Sequence, residues 1–300
     1  VPDYPFSSLE STRPTDLWNW MDAQRKAGND LLAISHNANV SDGWMFPVDV
    51  DQTTGRPIDA AWAAARDRNE RLTEIKQGKG QSETHPLLSP NDEFANYELF
   101  QALLGLPADV GRIDRITGSY VRQAYKDGIA MQDARGYNPY KFGMAGGSDS
   151  HNSAAPYRQD NFFGLHVDAD GTVERRFAGV LIGGTMDVRL TNPGGLTGVW
   201  AEENTRASLW DAMYRKETFG VSGPRIKVRL FGGWGYDKDL VNARDWVKQS
   251  YAGGVPMGAD LGPMPTGAKG TAPRFVVWAV KDPSSGNLDR IQVVKGWTQN

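Results

Sequence analysis

The first forty residues follow a pattern that predicts a helix leading into a buried strand. Residues 12–29 place large apolar side chains on one helical face, namely Leu17, Trp18 and Met21. This spacing is typical of an amphipathic helix. Residues 31–34 are a short continuous apolar run, as in a parallel strand that is covered on both faces. We therefore expect the polar residues after this run to lie at the carboxyl end of a strand.

The same order of helix, strand and polar tip recurs further along the chain. We expect helices from Ser89 to Gly105 and from Ser119 to Gly136, each with a polar residue at its start and a glycine at its end. An apolar strand over residues 142–147 then precedes a second polar cluster, and residues 196–200 predict a further strand. Alternating strands and helices indicate an α/β fold with a parallel sheet or barrel.

Beyond residue 222 the pattern changes to short strands. Residues 226–230 alternate like a half-exposed strand, and residues 275–280 and 291–294 predict two more. We therefore divide the chain into an α/β portion, 1–222, and a β-rich C-terminal segment, 223–300. Residues 152–194 are rich in Gly, Asp and Asn, and we expect a long insertion or lid there.

Composition narrows the classes of function. The chain has 33 Lys and Arg against 36 Asp and Glu, a net charge of -3, and no long run of either sign; this favours neither nucleic acid nor an anionic membrane as partner. No apolar run reaches the roughly 18 residues of a membrane span. The absence of cysteine excludes disulfides and thiolate sites. It is typical of exported bacterial proteins, periplasmic or secreted, but equally compatible with the cytoplasm, so location stays open.

Three residues at strand ends are candidate metal ligands. Asp149 and His151 have i, i+2 spacing, so in an extended segment both side chains point the same way. His36 occupies the equivalent position after the first strand. Taken alone it would be a core or capping histidine; together with the other two, and with only four histidines in the chain, we expect one divalent-metal site at the carboxyl edge of the sheet.

A polar, glycine-interrupted stretch over residues 74–86 adds weaker candidates. Glu83 and His85 could complete the metal shell or shuttle protons, although a solvated loop with a turn at His85 explains them equally well. Four residues are candidates for binding substrate, namely Asn37, Gln77, Lys79 and Arg225. We expect His166 to belong to the lid and to pack against its aromatic neighbours.

The motif Gly147-Ser148-Asp149-Ser150-His151 resembles the closing Asp-x-His motif of the PHP (polymerase and histidinol phosphatase) superfamily, and residues 34–37 resemble its earlier strand-end histidine. Several stretches also resemble an uncharacterised bacterial family, domain of unknown function 3604. They are residues 13–18, 77–86, 138–143, 200–206 and 222–226.

The PHP resemblance implies a distorted (β/α) barrel that binds Zn, Mn or Fe, with Mg or Ca as further options, and hydrolyses phosphoesters. By this resemblance, Asp149 and His151 match the last motif of the superfamily, and His36 matches a middle motif. The superfamily's opening His-x-His is not found in this sequence, which begins at Val1. We therefore expect a preceding segment, or a second chain, to complete a PHP-like barrel portion.

The strand-end residues and the PHP resemblance together imply a metal-dependent hydrolase that acts on a small phosphate ester or similar anionic ester through a metal-activated water. Two alternatives stay open. One is a glycan-active hydrolase with paired carboxylates such as Glu83 and Asp149 and tryptophans that stack on sugar. The other is an exported, non-catalytic module with a structural cation.

Overall fold

A computed structural model describes residue 2 and residues 4–100, 102–103, 116–154, 157–182, 186–267 and 272–298. Within these ranges the chain forms seven α-helices: α1 (Pro14–Lys26), α2 (Ala60–Asn69), α3 (Val121–Arg135), α4 (Val167–Asp170), α5 (Val173–Ala178), α6 (Arg206–Tyr214) and α7 (Trp246–Gly253). The first predicted helix is confirmed: α1 begins with Pro14 in its first turn, where a missing N–H costs nothing, and buries Trp18 and Met21.

The strands in the described residues are mostly short. They are β1 (Ile34–Ser35), β2 (Val50–Asp51), β3 (Arg56–Pro57), β4 (Leu72–Gln77), β5 (Gly80–Gln81), β6 (Gly143–Gly146), β7 (Leu181–Ile182), β8 (Met186–Asp187), β9 (Leu196–Val199), β10 (Thr218–Val221), β11 (Lys227–Gly233), β12 (Val255–Pro256) and β13 (Arg274–Val280).

Strand β4 is the centre of the sheet that carries the candidate site. β1 and β6 both pair with β4 in parallel, and β5 turns back against its end in antiparallel pairing. The antiparallel pair of β9 and β10, connected through α6, lies beside β6, where Thr218 Oγ1 donates a hydrogen bond of 2.7 Å to the carbonyl of Met144. The carboxyl ends of three parallel strands therefore meet at one edge.

The main core lies between helix α3 and this sheet. It is formed by Ala38, Phe46, Ile58, Val121, Ala124, Met131, Tyr140 and Phe142. Helix α3 begins close to the predicted position. Gly136 directly follows its last residue and has a φ of 78°, in the left-handed region that glycine adopts without strain. Burial of these large side chains supplies the main driving force for placing the sheet.

The C-terminal region contains a separate three-stranded sheet. β11 pairs in antiparallel fashion with both β12 and β13, over a small core of Phe231, Tyr236, Leu240 and Val276. This agrees with a β-rich C-terminal segment, while the boundary at residue 223 stays a prediction. Residues 152–194 contain α4 and α5, together with the two-residue strands β7 and β8.

Two predicted elements are wrong. Residues 89–100 form turns rather than a helix, because Pro90, Asn91 and Asp92 favour turn geometry over a continued helix; most of the rest of that predicted helix lies outside the described residues. Residues 291–294 form no strand, and Ile291, Val293 and Val294 are exposed. An apolar run forms a strand only where a neighbouring strand can pair with it.

The α/β class is confirmed, but not the barrel. The described strands form one mixed four-stranded sheet, one three-stranded sheet and several two-stranded ribbons, and in these residues no sheet closes on itself. The first strand is also shorter than predicted, since β1 begins at Ile34, which is exposed. Over the same described ranges, no helix has the length and apolarity needed to cross a membrane.

Candidate functional site

The site lies where β1, β4 and β6 end. His36 directly follows β1, Lys79 lies in the turn after β4, and Asp149 follows β6 by three residues. Glu74 is part of β4 itself. Because β1 and β6 flank β4 in parallel, side chains that are distant in sequence converge at this edge, as expected for parallel sheets.

Asp149 is held in an unusual backbone conformation. Its φ is 53°, in the left-handed region, which is uncommon for residues other than glycine and is adopted among them mainly by asparagine, aspartate and histidine. The preceding residue, Ser148, is packed so closely that a Cβ on Gly194 would lie 2.4 Å from its Cα. The backbone of Gly147 is held on both sides, since its N–H donates to Lys76 O and its carbonyl accepts from Gly195 N. These contacts set the direction in which the Asp149 carboxylate points.

One carboxylate oxygen faces two imidazoles. Oδ1 of Asp149 lies 3.1 Å from Nε2 of His36 and 3.4 Å from Nε2 of His151. The Asp149 side chain is 8% exposed, whereas that of His151 is 54% exposed. The cluster of His36, Asp149 and His151 thus combines a buried carboxylate with imidazoles that solvent and small molecules can reach.

Glu74 orients the ring of His36. Its Oε2 lies 2.6 Å from His36 Nδ1. When Nδ1 donates to this carboxylate, the neutral ring presents the lone pair of Nε2 to Asp149. A carboxylate that holds one ring nitrogen while the other faces a ligand position is the usual arrangement around metal-binding histidines. Sequence patterns alone assigned no role to Glu74.

Lys79 is the cation of the site. Its ammonium forms an ion pair with Oδ2 of Asp149, and its side chain is 4% exposed. Burial lowers the pKa of Lys79 to about 8, although the charge of Glu74 acts in the opposite direction. Its backbone N–H donates to Gln77 Oε1 at 2.6 Å. Lys79 therefore neutralises Asp149 and can release or accept a proton at moderately alkaline pH.

His166 joins the cluster from the segment that was predicted to be a lid. Its ring centroid lies 3.9 Å from that of His151, with an interplanar angle of 30°. The carboxylate of Asp170 fixes the backbone here by accepting from the N–H groups of Leu165 and His166, both at 2.7 Å. Burial, together with the charge of His151, lowers the pKa of His166. The ring is therefore mostly neutral near pH 7.

Two of the predicted substrate-binding residues lie beside the cluster but bind each other. Nε2 of Gln77 donates to Oδ1 of Asn37 at 2.8 Å, and Gln77 is almost fully buried. Asn37 has a positive φ of 65°. This bond connects the loop after β1 to the end of β4. The pair positions His36 and Lys79, and its direct contact with substrate stays a prediction.

The other predicted residues have their contacts elsewhere. Glu83 pairs with Arg122 at 2.5 Å. His85 accepts from the N–H of Leu87 through Nδ1 at 3.2 Å and packs against Tyr120. These contacts give His85 the turn-forming role that was its alternative interpretation. Catalytic roles for Glu83 and His85 stay predictions.

The donor chemistry of the cluster fits a divalent metal ion. Imidazole nitrogens and carboxylate oxygens bind zinc at about 2.0–2.2 Å, so two donors on one ion stand roughly 3 Å apart, as the pairs around Asp149 Oδ1 do. In the part of the chain that the structure describes, however, no three His, Asp or Glu side chains are arranged to hold a metal ion. Lys79 already neutralises Asp149, so a metal ion would have to displace its ammonium.

Comparison with known proteins identifies a family without a known activity. The family model described as "Protein of unknown function (DUF3604)" matches residues 2–300. No curated protein and no solved structure matches the chain. The chemistry of the site must therefore be inferred from its own residues.

Proposed function

The chain belongs to the DUF3604 family, and we propose that it is a metal-dependent hydrolase of a phosphate ester or similar anionic ester. The proposal concerns the edge of the sheet where His36, Asp149 and His151 meet. It requires that these three side chains bind a divalent cation, with Zn, Mn or Fe as the preferred ions and Mg or Ca as weaker candidates.

The strongest support for the proposal is that two imidazole nitrogens lie close to Asp149 Oδ1, at 3.1 and 3.4 Å. With Nδ1 of His36 bonded to Glu74, a neutral His36 ring turns a lone pair toward a negatively charged oxygen. Two acceptors this close repel each other unless a proton or a cation lies between them. The site therefore favours positive charge at this point.

A bound divalent cation would lower the pKa of its water toward about 7 and polarise an ester oxygen. The side chains around it have separate tasks. Glu74 keeps Nε2 of His36 facing Asp149. Lys79, once displaced from Asp149, offers an ammonium to the negatively charged oxygens of the substrate. The same ammonium can also donate a proton to the leaving oxygen.

His166 supports the proposal from the open side of the cluster. It stacks against His151 and is held by a backbone that Asp170 fixes. A largely neutral imidazole at this position can accept a proton from an attacking water. The resemblance of Gly147-Ser148-Asp149-Ser150-His151 to the PHP Asp-x-His motif points to the same class of reaction, and a PHP-like barrel is part of this proposal.

The test is metal-dependent turnover of aryl phosphates. The protein is stripped with a chelator and then assayed with 4-nitrophenyl phosphate and bis(4-nitrophenyl) phosphate in the presence of Mn²⁺, Zn²⁺ or Mg²⁺. We expect activity to return with metal, and Asp149→Asn to lower kcat by at least about a hundredfold. Asp160→Asn is the matched control, because Asp160 is an exposed carboxylate paired with Arg158.

Other results would overturn the proposal. Turnover that is unchanged by the chelator and by Asp149→Asn excludes a metal site at Asp149. Hydrolysis of aryl glycosides but not of phosphates supports the glycan-active alternative. Stoichiometric calcium without any turnover supports the structural cation.

A further inference from the structure

A second recess lies beside the candidate site, and we call it the β9 groove. It is a cavity of about 330 Å³, near the lower end of the range for small-molecule pockets. Its lining consists of Leu196, Thr197, Gly198, Val199, Trp200, Phe219, Val221, Arg225, Ile226 and Lys227. The volume suits a ligand of one or two rings.

Flat aromatic and aliphatic surfaces form the walls of the β9 groove. The Phe219 ring lies directly over Gly198, where a Cβ would be 2.1 Å from the ring, so only glycine allows this packing. The indole ring of Trp200 is held in place by two contacts. Its Nε1 donates to Val228 O at 2.8 Å, and the guanidinium of Arg229 lies 3.7 Å from its ring centroid. The rings of Trp200 and Phe219 contact each other, with a centroid distance of 6.1 Å and an interplanar angle of 37°, so they form one fixed aromatic wall against which an aromatic ligand can pack.

The charged side chains that line the groove are cationic. Arg225 and Lys227 are both exposed at the groove, and no carboxylate is among the described residues that line it. The Arg225 side chain donates to Tyr157 Oη at 2.8 Å, which holds the guanidinium in place. The nearby Asp282 accepts from the backbone N–H of Arg225. An anionic group on a bound ligand is thus favoured.

The β9 groove is continuous with the candidate site through the backbone. Gly195, which precedes β9, donates its N–H to Gly147 O at 2.7 Å. Thr197 bonds to Gly146 through its hydroxyl in both directions, at 3.0 and 2.7 Å. One segment therefore packs on the strand that leads to Asp149 and then forms a wall of the groove.

From these observations we propose that the β9 groove binds an aromatic organic anion, as a recognition subsite of the proposed hydrolase. The ring packs against the aromatic wall of Trp200 and Phe219, and a carboxylate, sulfate or phosphate group meets Arg225 and Lys227. This rests on the proposed function and narrows its substrate to a molecule with an aromatic part and a second anionic group.

The binding test uses a probe that cannot be hydrolysed. Naphthalene-2-sulfonate is titrated calorimetrically into the metal-free protein, with the neutral 2-naphthol alongside. We expect Arg225→Gln to weaken sulfonate binding about tenfold, which corresponds to about 1.4 kcal/mol, and to leave 2-naphthol binding unchanged. Arg244→Gln is the matched control, because Arg244 is an exposed arginine outside the lining of the groove.

Lys227→Gln gives a second, independent reading if Arg225→Gln does not fold. The proposal is overturned if the sulfonate does not bind, or if it binds with the same affinity to wild type and to both charge variants. His151→Ala separates the two proposals, because it should abolish turnover and leave sulfonate affinity unchanged. Sulfonate binding without any turnover would refute the hydrolase alone, and turnover without sulfonate binding would refute the groove alone.

Discussion

Nε2 of His36 lies 3.1 Å from Oδ1 of Asp149, although the two residues follow different strands on opposite sides of β4. The parallel pairing of β1 and β6 with β4 creates this contact. Glu74, in the central strand, holds the other ring nitrogen of His36. The site is therefore a product of the sheet topology, and changes to its supporting residues should alter it in predictable ways.

Glu74→Gln tests whether the carboxylate orients His36. The amide retains the size and an acceptor oxygen but loses the charge, so the imidazole becomes a weaker ligand. We expect a 10- to 100-fold loss of metal affinity, as is usual for such supporting carboxylates, with an unchanged circular dichroism spectrum. Glu203→Gln, at an exposed position, should bind metal like the wild type. Equal affinities of Glu74→Gln and wild type would remove Glu74 from the site.

Gly194→Ala tests the packing behind Asp149. A Cβ there would lie 2.4 Å from Ser148 Cα and 2.9 Å from Gly147 O, so the backbone leading to Asp149 must shift. We expect about 1–3 kcal/mol of destabilisation and a loss of metal affinity, measured by denaturant unfolding and by metal titration. Gly235→Ala is the control, since no atom lies within 4 Å of its added Cβ. Wild-type behaviour of Gly194→Ala would contradict this role.

Lys76→Met tests the clamp that holds residues 192–195 in place. The buried ammonium donates to Asn192 Oδ1 at 2.6 Å and to Pro193 O at 2.7 Å, and pairs with Glu98 at 3.1 Å. Its removal leaves these acceptors without a partner, so we expect the free energy of unfolding to fall by about 3–5 kcal/mol. The exposed Lys248→Met should change it by less than about 0.5 kcal/mol. Equal unfolding midpoints for the two variants would refute the clamp.

The ionisation of Lys79 predicts a pH dependence of stability. Its pKa is lowered to about 8 by burial, whereas an unfolded chain has a lysine pKa of about 10.4. Between these values the unfolded chain binds more protons, so stability should rise with pH by up to about 1.4 kcal/mol per unit. Below about pH 8 this contribution is constant. Lys79→Met should lose this rise between pH 8 and 10, and parallel profiles for variant and wild type would argue against it.

The sequence was sufficient to predict the strand-end residues of the site. His36, Asp149 and His151 follow apolar runs, and the ends of parallel strands share one edge of a sheet. The structure brings these three residues together. Their role as metal ligands stays a prediction until metal binding is measured.

Glu74 and His166 could not be assigned from the sequence for a physical reason. Glu74 precedes Ile75 within a strand whose sequence reads as a polar loop, so nothing local indicates that its side chain faces His36. His166 reaches His151 only because Asp170 turns the backbone of a distant segment. Contacts of this kind depend on tertiary packing, which periodicity along the chain does not encode.

The failed strand at residues 291–294 and the failed helix at residues 89–100 have a similar origin. β-Propensity marks a segment as able to pair, but pairing requires an available strand edge. In the second case, turn-forming residues at the start outweigh apolar residues spaced for a helix. Local pattern therefore predicted the apolar strand β6 and the end of β1, but it missed the central strand β4 and the segments packed around the sheet.

The central claim is that His36, Asp149 and His151 bind one divalent cation. Calorimetric titration of Mn²⁺ or Zn²⁺ into chelator-treated protein tests it most directly, with His151→Ala and Asp160→Asn measured in parallel. We expect one ion per chain for wild type and Asp160→Asn, and an affinity at least about a hundredfold lower for His151→Ala with its fold retained. No binding by wild type, or equal binding by wild type and His151→Ala, would contradict it.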